Sequence, residues 1–117
     1  MILTLLKSKL HRATITGVDI DYEGSLEIDA ELMQAADILY GEQVHVFDVT
    51  NGARFTTYAV PGPAGGRGVR VLGAAGRLVV TGDIVLVLTF AQYDEKDLAD
   101  YKPKVIRLGA GNRVEEK

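Results

Sequence analysis

Short β-forming runs separated by glycine and proline constrain the fold of this chain more than any other feature. Runs rich in valine, isoleucine and threonine occur at 44–49, 54–60, 69–72, 84–90 and 105–108. The dipeptide Asn51-Gly52 between the first two is the strongest short hairpin signal in the chain. No regular strand–helix–strand rhythm appears, so the pattern favours a small closed β-barrel over a parallel α/β sheet.

The amino-terminal part of the chain predicts a long strand. Residues 9–20 alternate and are rich in threonine, valine and isoleucine, the pattern of a strand with one face buried, and the strand is predicted from residue 3 to about residue 16. The two-residue period of a strand puts Lys9 and His11 on one face and Arg12 on the other.

Helical signals are fewer. An amphipathic run at 30–39 predicts a helix, capped at its start by Asp29 and closed by Gly41. A short surface helix is predicted at 94–101, and the tail after Gly109 is expected to fray.

Composition excludes several classes of function. With 117 residues the chain has room for one domain, 1–117. A formal charge of -3 gives no basic field for nucleic acid, and the apolar start at 1–6 is too short to span a membrane. The absence of cysteine removes disulfides and thiolate metal sites and is compatible with a reducing cytoplasm. With only His11 and His45, a histidine-rich metal site is also disfavoured, and no metal is predicted.

The Gly24-Ser25 bond has two interpretations. On the turn preferences of glycine and serine, residues 22–25 form an ordinary turn. Alternatively the bond cleaves itself, because Gly24 can adopt backbone angles that bend its carbonyl toward the Ser25 hydroxyl. Attack would give an ester, elimination a dehydroalanine, and hydrolysis a pyruvoyl group with loss of ammonia. The dipeptide alone leaves both interpretations open.

Other side chains carry chemistry only in combination. Lys9 and Arg54 are candidate receptors for a small carboxylate, although each is also an ordinary exposed strand residue. Tyr58 is a candidate proton donor, since a phenol stays protonated at neutral pH. The run at 73–76 is either a tight turn or a loop whose backbone amides contact a ligand.

Six segments together resemble bacterial aspartate 1-decarboxylases in order and spacing. They are KLHRA at 9–13, YEGS at 22–25, VTNG at 49–52, RFTTY at 54–58, GAA at 73–75 and GDIV at 82–85. The resemblance spans about residues 1–90. It implies a double-psi β-barrel, a homotetramer with active sites between subunits, and production of β-alanine from L-aspartate for pantothenate synthesis.

The resemblance also implies roles for individual residues. Ser25 becomes a covalent pyruvoyl cofactor that forms a Schiff base with the substrate amine, and Gly24 ends a short β chain of residues 1–24, leaving an α chain of 25–117. The remaining implied residues are Lys9 and Arg54 for the substrate carboxylate, Tyr58 as proton donor, Thr57 for cleavage and substrate contact, and Tyr22, Gly73, Ala74, Ala75 and His11 around the pocket.

Two departures leave other functions open. Leu72 stands where the family usually has asparagine, and Gly76-Arg77 replaces a common alanine-histidine pair. Losing a carboxamide removes both a donor and an acceptor. A pyruvoyl decarboxylase of another amino acid, or a non-catalytic β-barrel used for binding or assembly, is therefore an alternative to aspartate decarboxylation.

Overall fold

The protein is described by a computed structural model that covers residues 1–115. Its eight strands are β1 Ile2–Thr14, β2 Gly17–Asp19, β3 Ser25–Asp29, β4 Gln43–Asp48, β5 Arg54–Gly62, β6 Val69–Leu72, β7 Ile84–Asp94 and β8 Lys104–Arg107. The one α-helix of the described part is α1 Ala30–Ala36, and 3-10 helices span Ala74–Leu78, Glu95–Asp100 and Ala110–Asn112.

The strands form one sheet that curls back on itself. Its order is β2-β6-β3-β5-β4-β7-β1-β8, so β1 and β2 lie near opposite ends of the order. Yet only residues 15 and 16 separate these two strands in the chain. The Ile15 N–H donates to Asp83 O at 2.9 Å and the Thr16 N–H to Val69 O at 2.8 Å, so this junction contacts both ends of the sheet. The prediction of a mainly β, small barrel is confirmed.

Alternating side chains fill the interior of this sheet. In β4, Val44 and Val46 are fully buried, and Val85 and Val87 of the neighbouring β7 are buried with them. The residues between them face outward, as expected for the two-residue period of a strand. The predicted hairpin at Asn51-Gly52 is also confirmed, since β4 pairs antiparallel with β5.

The long first strand is present at Ile2–Thr14, close to its predicted bounds, and its pairing with β7 is interrupted by two register shifts, the first between Leu6 and Ser8. Ser8 and Leu10 are buried, while Lys9 and His11 lie on the outward face. The pairing with β7 shifts between His11 and Ala13, and Arg12 takes a left-handed φ of 68° there. A bulge inserts an extra residue and interrupts the alternation of faces, and Arg12 is exposed to solvent there.

The helix is shorter than its amphipathic pattern predicts. Asp29 does cap α1, since its side chain accepts the backbone N–H of Glu31 at 2.8 Å. The helix ends at Ala36, however, because Asp37 adopts a left-handed φ of 59°. The Asp37 N–H donates to the backbone carbonyls of Gln34 and Met33. Leu39 is therefore exposed, and Gly41 does not close the helix.

The carboxy-terminal segment is anchored as far as residue 115, contrary to the predicted fraying after Gly109. The buried Asn112 side chain accepts the Thr14 N–H at 2.7 Å and donates to Thr14 O and Arg67 O, both at 3.0 Å. Val114 adds a bridge to Leu108. The rest of the tail lies outside the described residues. In the part of the chain that the structure describes, no helix combines the length and hydrophobicity needed to cross a membrane.

Candidate active site

Ser25 occupies the first position of β3, between two other strands. On one side it pairs with Leu72 of the antiparallel β6. On the other side β3 runs parallel to β5 with Leu26 opposite Ala59, so Ser25 and Tyr58 are neighbours across the two strands. Ser25 is 3% exposed, whereas Tyr58 is 41% exposed. The strand pairing therefore holds a shielded hydroxyl next to an accessible phenol.

These two residues share an open pocket of about 350 Å³. The pocket has a polar lining that includes carboxylates and phenols but no lysine or arginine: Tyr22, Glu23, Ser25, Glu27, Tyr40, Tyr58, Val60, Pro61 and Leu72. The predicted residues Ser25, Tyr22 and Tyr58 thus come together. Leu72, the departure noted from the sequence, forms part of the same wall.

The backbone of Gly73 lies against Gly24. A Cβ built on Gly73 would stand 2.6 Å from Gly24 Cα and 3.0 Å from Tyr22 O, closer than non-bonded atoms approach. Gly73 also has a left-handed φ of 87°, which glycine adopts without steric cost. Its N–H donates to Asp19 O at 2.7 Å. The glycine after Leu72 therefore contacts the segment that precedes Ser25.

Three other residues implied near the site, Thr57, Ala74 and Ala75, are absent from the pocket lining. Thr57 is outside the pocket lining, because it faces away from Tyr58 along β5 by strand alternation. Ala74 and Ala75 begin the 3-10 helix at Ala74–Leu78, and Ala75 packs against the hydrophobic core. Gly73 is the member of this loop that contacts the Gly24 backbone.

Lys9, His11 and Arg54 lie on a different part of the sheet. The register places one row of outward residues across neighbouring strands, in the order His11, Leu86, Phe47 and Arg54. A second row, one pleat further along, contains Lys9, Leu88, His45 and Thr56. We call these two rows the cationic face. Its residues are absent from the lining of the Ser25 pocket.

Arg54 is directed toward the centre of the cationic face. Its guanidinium carbon lies 4.3 Å from the centre of the Phe47 ring, a cation–π contact that orients the planar head group. Within residues 1–115, no carboxylate lies within ion-pair distance of Lys9 or Arg54. Their charges are therefore available to an anion from outside the chain.

His11 contributes an imidazole to the cationic face, and the neutral form of that imidazole is favoured. Burial lowers the pKa of His11, and the charges of Lys9, Arg107 and Arg12 lower it further. Its buried Nδ1 has no hydrogen-bond partner among residues 1–115. His11 is therefore predominantly neutral at pH 7.

Glu27 and Tyr40 are pocket residues that sequence reasoning missed. Glu27 follows Ser25 by two positions in β3 and so shares its face, and Arg70 of β6 binds it at 3.0 Å. The strand period could have revealed Glu27. No local signal marks Tyr40, which reaches the pocket from the loop after α1.

The fold and this pocket define a small β-barrel enzyme whose candidate reactive group is a serine of its own chain. No group of three or more histidines or carboxylates suited to a metal ion occurs in the described residues.

Comparison with known proteins identifies the family. The family model described as aspartate decarboxylase matches residues 1–115. An aspartate 1-decarboxylase of Caulobacter vibrioides is 50% identical over 116 residues, covering 99% of this chain and 98% of the relative. One from Syntrophobacter fumaroxidans is 52% identical over 93% of this chain and 88% of its own length. One from Moorella thermoacetica is 50% identical, with 94% and 86% covered. The chain belongs to the aspartate decarboxylase family, which confirms the resemblance drawn from its six segments.

Proposed function

We propose that this chain is a pyruvoyl-dependent aspartate 1-decarboxylase that releases CO2 from L-aspartate and forms β-alanine for pantothenate synthesis, in the cytoplasm. It first cleaves itself into a β chain of residues 1–24 and an α chain of residues 25–117. The observation that carries the proposal is the shielded Ser25 beside Tyr58, with Gly24 held against the bare Cα of Gly73. The family membership supports the same reaction.

Self-cleavage uses atoms of this chain and one water molecule. Ser25 Oγ attacks the Gly24 carbonyl carbon, and the peptide nitrogen leaves it, so the amide becomes an ester. Removal of the Ser25 Cα proton then expels the Gly24 carboxylate and leaves a dehydroalanine. Water converts this to a pyruvoyl group and releases ammonia. The residues around the bond fit this reaction because neither Gly24 nor Gly73, which lies against it, carries a side chain that would crowd the bond.

The decarboxylation divides between the cofactor and the surrounding residues. The pyruvoyl ketone supplies the carbonyl that takes up the substrate amine and accepts the electrons left by departing CO2. Glu23, which has no ion-pair partner among residues 1–115, attracts the substrate ammonium, whereas Glu27 is already paired with Arg70. Tyr58, exposed to the pocket, is placed to return a proton to the substrate carbon.

A complete site needs a second copy of the chain. The Ser25 pocket of one chain has no cation in its lining, although the substrate carries two carboxylates. Thr56 precedes the pocket residue Tyr58 by two positions on β5. Lys9 lies three strand spacings from Thr56, roughly 14 Å at about 4.8 Å per spacing, so it is remote from the pocket of its own chain. We therefore propose a homotetramer in which the cationic face of one subunit completes the Ser25 pocket of another.

The first experiment measures the mass of the purified chain under denaturing conditions. We expect two fragments divided after Gly24, the second ending in a pyruvoyl group at its amino terminus. Ser25→Ala should remain a single chain and form no β-alanine, while the matched control Ser8→Ala, at a buried serine bonded to Thr89, should still be cleaved. An intact wild-type chain after prolonged warm incubation would contradict the proposal.

The second experiment tests whether sites form between subunits. Ser25→Ala chains, which are inactive alone, and Arg54→Gln chains, which are strongly impaired alone, are co-expressed and purified together through different tags. A shared site combines Ser25 of one chain with Arg54 of the other, so mixed assemblies should recover part of the wild-type activity. Recovery that is absent from correctly assembled mixed oligomers would show that each site lies within one chain.

The substrate is tested by comparing aspartate with glutamate. Leu72 makes the wall opposite Ser25 apolar, which favours the alternative that another amino acid is used. We expect a higher kcat/KM for aspartate, because the family membership outweighs one altered side chain. A higher kcat/KM for glutamate would support the alternative substrate, and no turnover of either by cleaved protein would support a binding or assembly role.

A further inference from the structure

The edge strand β8 extends the cationic face by one residue. β8 runs parallel to β1, with Arg107 opposite His11 and Val105 opposite Lys9. Ile106, between them, packs against the core, so Arg107 projects to the same outward side as His11. The first row of the face therefore runs Arg107, His11, Leu86, Phe47, Arg54, with an arginine at each end.

This extended face has no compensating negative charge of its own. The two rows contain Lys9, Arg54 and Arg107 but no aspartate or glutamate, although the whole chain has a formal charge of -3. Among residues 1–115, Arg107 has no carboxylate within ion-pair distance. A concentration of unpaired cations in an acidic protein raises the local concentration of anions and steers them to the surface.

We propose that Arg107 is a further substrate-selecting residue, which with Lys9 draws the carboxylates of a small dianion onto the cationic face. This inference rests on the proposed function, because it assigns Arg107 to the same site. Arg107 is exposed on β8, the last strand in the sheet order, so it acts on binding of the dianion and leaves the chemical step to Ser25 and Tyr58.

The test compares Arg107→Gln with wild type as fully cleaved protein. We expect KM for aspartate to rise about fivefold with kcat within about twofold, the size typical of removing one exposed charge from an ionic contact. Succinate, a four-carbon dicarboxylate without an amine, serves as a competitive probe, and its inhibition constant should rise by a similar factor. Arg107→Lys, which keeps the charge, should restore both values to within about twofold of wild type.

The matched control is Arg113→Gln, an exposed arginine outside β8, which should leave both constants unchanged. Active wild type with unaltered KM and succinate inhibition in Arg107→Gln would overturn the inference while the proposed function stands. An equal change in Arg113→Gln would also overturn it, since the effect would be one of net charge. Cleaved wild type that forms no β-alanine would refute the proposed function, and this inference with it.

Discussion

The Ser25 pocket and the cationic face differ in charge and in how each is built. The pocket forms where β3 lies between β5 and β6, and its charged lining is acidic. The cationic face spreads over β8, β1, β7, β4 and β5 and holds unpaired bases around an apolar centre. The proposed homotetramer would bring these two surfaces of opposite sign together across subunits. Cleavage and substrate binding should therefore respond to different mutations.

The largest expected effect comes from Gly73→Ala on the pocket side. The new Cβ would stand 2.6 Å from Gly24 Cα, so the segment before Ser25 must move. We expect cleavage to become undetectable in a time course of intact mass. Gly52→Ala is the matched control: its φ of 78° is also positive, but a Cβ there meets nothing within 4 Å. Gly52→Ala should lose about 1–2 kcal/mol of stability from its positive φ and still be cleaved normally, whereas Gly73→Ala adds the clash with Gly24 to such a loss. Equal cleavage of the two variants would show that the close contact of Gly73 with Gly24 is not needed for cleavage.

The next effect separates the cationic face from cleavage. Arg54→Gln removes the guanidinium that lies over Phe47. We expect normal division after Gly24 but a fall in kcat/KM for aspartate of roughly 100-fold, the usual cost of losing a charged hydrogen-bond partner in a closed site. Lys96→Gln, at a lysine that is 78% exposed, should change neither property. Failure of Arg54→Gln to cleave would mean that the two regions are coupled during maturation.

Strand periodicity and turn residues predicted most of the sheet because they act locally. The hairpin follows from Asn51-Gly52, and the helix start follows from Asp29. The helix end could not be read from the pattern, since Asp37 leaves the helix through a left-handed backbone and Lys7 donates to its carbonyl from β1 at 2.7 Å. The anchoring of the tail likewise depends on Asn112 reaching Thr14, 98 positions away.

The candidate site was predictable only in part for the same reason. The predicted residues fall into two groups: Ser25, Tyr22 and Tyr58 line one pocket, and Lys9, His11 and Arg54 share one face. No local sequence pattern indicates that these are two separate regions. That separation is a property of strand order, which depends on pairings between distant segments. Tyr40 illustrates the limit, because its place in the pocket depends on where the loop after α1 crosses β5.

Two buried aspartates, Asp29 at the end of β3 and Asp48 at the end of β4, have opposite pKa shifts, and Asp29 gives the third prediction. Burial alone would raise the pKa of Asp29, but backbone N–H groups of Glu31, Gly65 and Arg67 and the Arg67 charge outweigh it, so the pKa falls below its ordinary value of 3.8. The resulting stability is present above the unfolded pKa and lost as pH falls through the folded pKa. Asp29→Asn should cost about 2 kcal/mol at pH 7, and this difference should shrink in acid.

Denaturant unfolding between pH 2 and pH 7 measures this difference. The control is Asp94→Asn, a partly exposed aspartate that accepts one backbone N–H, from Lys96, and should cost under about 0.5 kcal/mol. A cost for Asp29→Asn that is independent of pH would show that the carboxylate charge contributes nothing.

The smallest expected effect has the opposite sign and lies at the hairpin that leads to Arg54. Burial raises the pKa of Asp48, and the adjacent Asp83 carboxylate raises it further, despite backbone N–H groups of Asn51 and Thr50 that favour the charged form. Asp48 Oδ2 is buried and has no donor among residues 1–115, so it gains a partner only when it is protonated and donates to Asp83.

A raised folded pKa gives stability that is complete below the unfolded pKa and lost as pH rises through the folded value. Asp48→Asn keeps Oδ1 for the Thr50 and Asn51 amides and offers Asp83 a permanent N–H donor. We therefore expect it to stabilise the protein by about 1 kcal/mol at pH 8 and to be neutral near pH 3, opposite in sign to Asp29→Asn. Thermal unfolding across that range measures both variants. If Asp48→Asn destabilises the protein at pH 8, the two carboxylates do not repel each other, and the hairpin turn needs the Asp48 charge as the helix start needs that of Asp29.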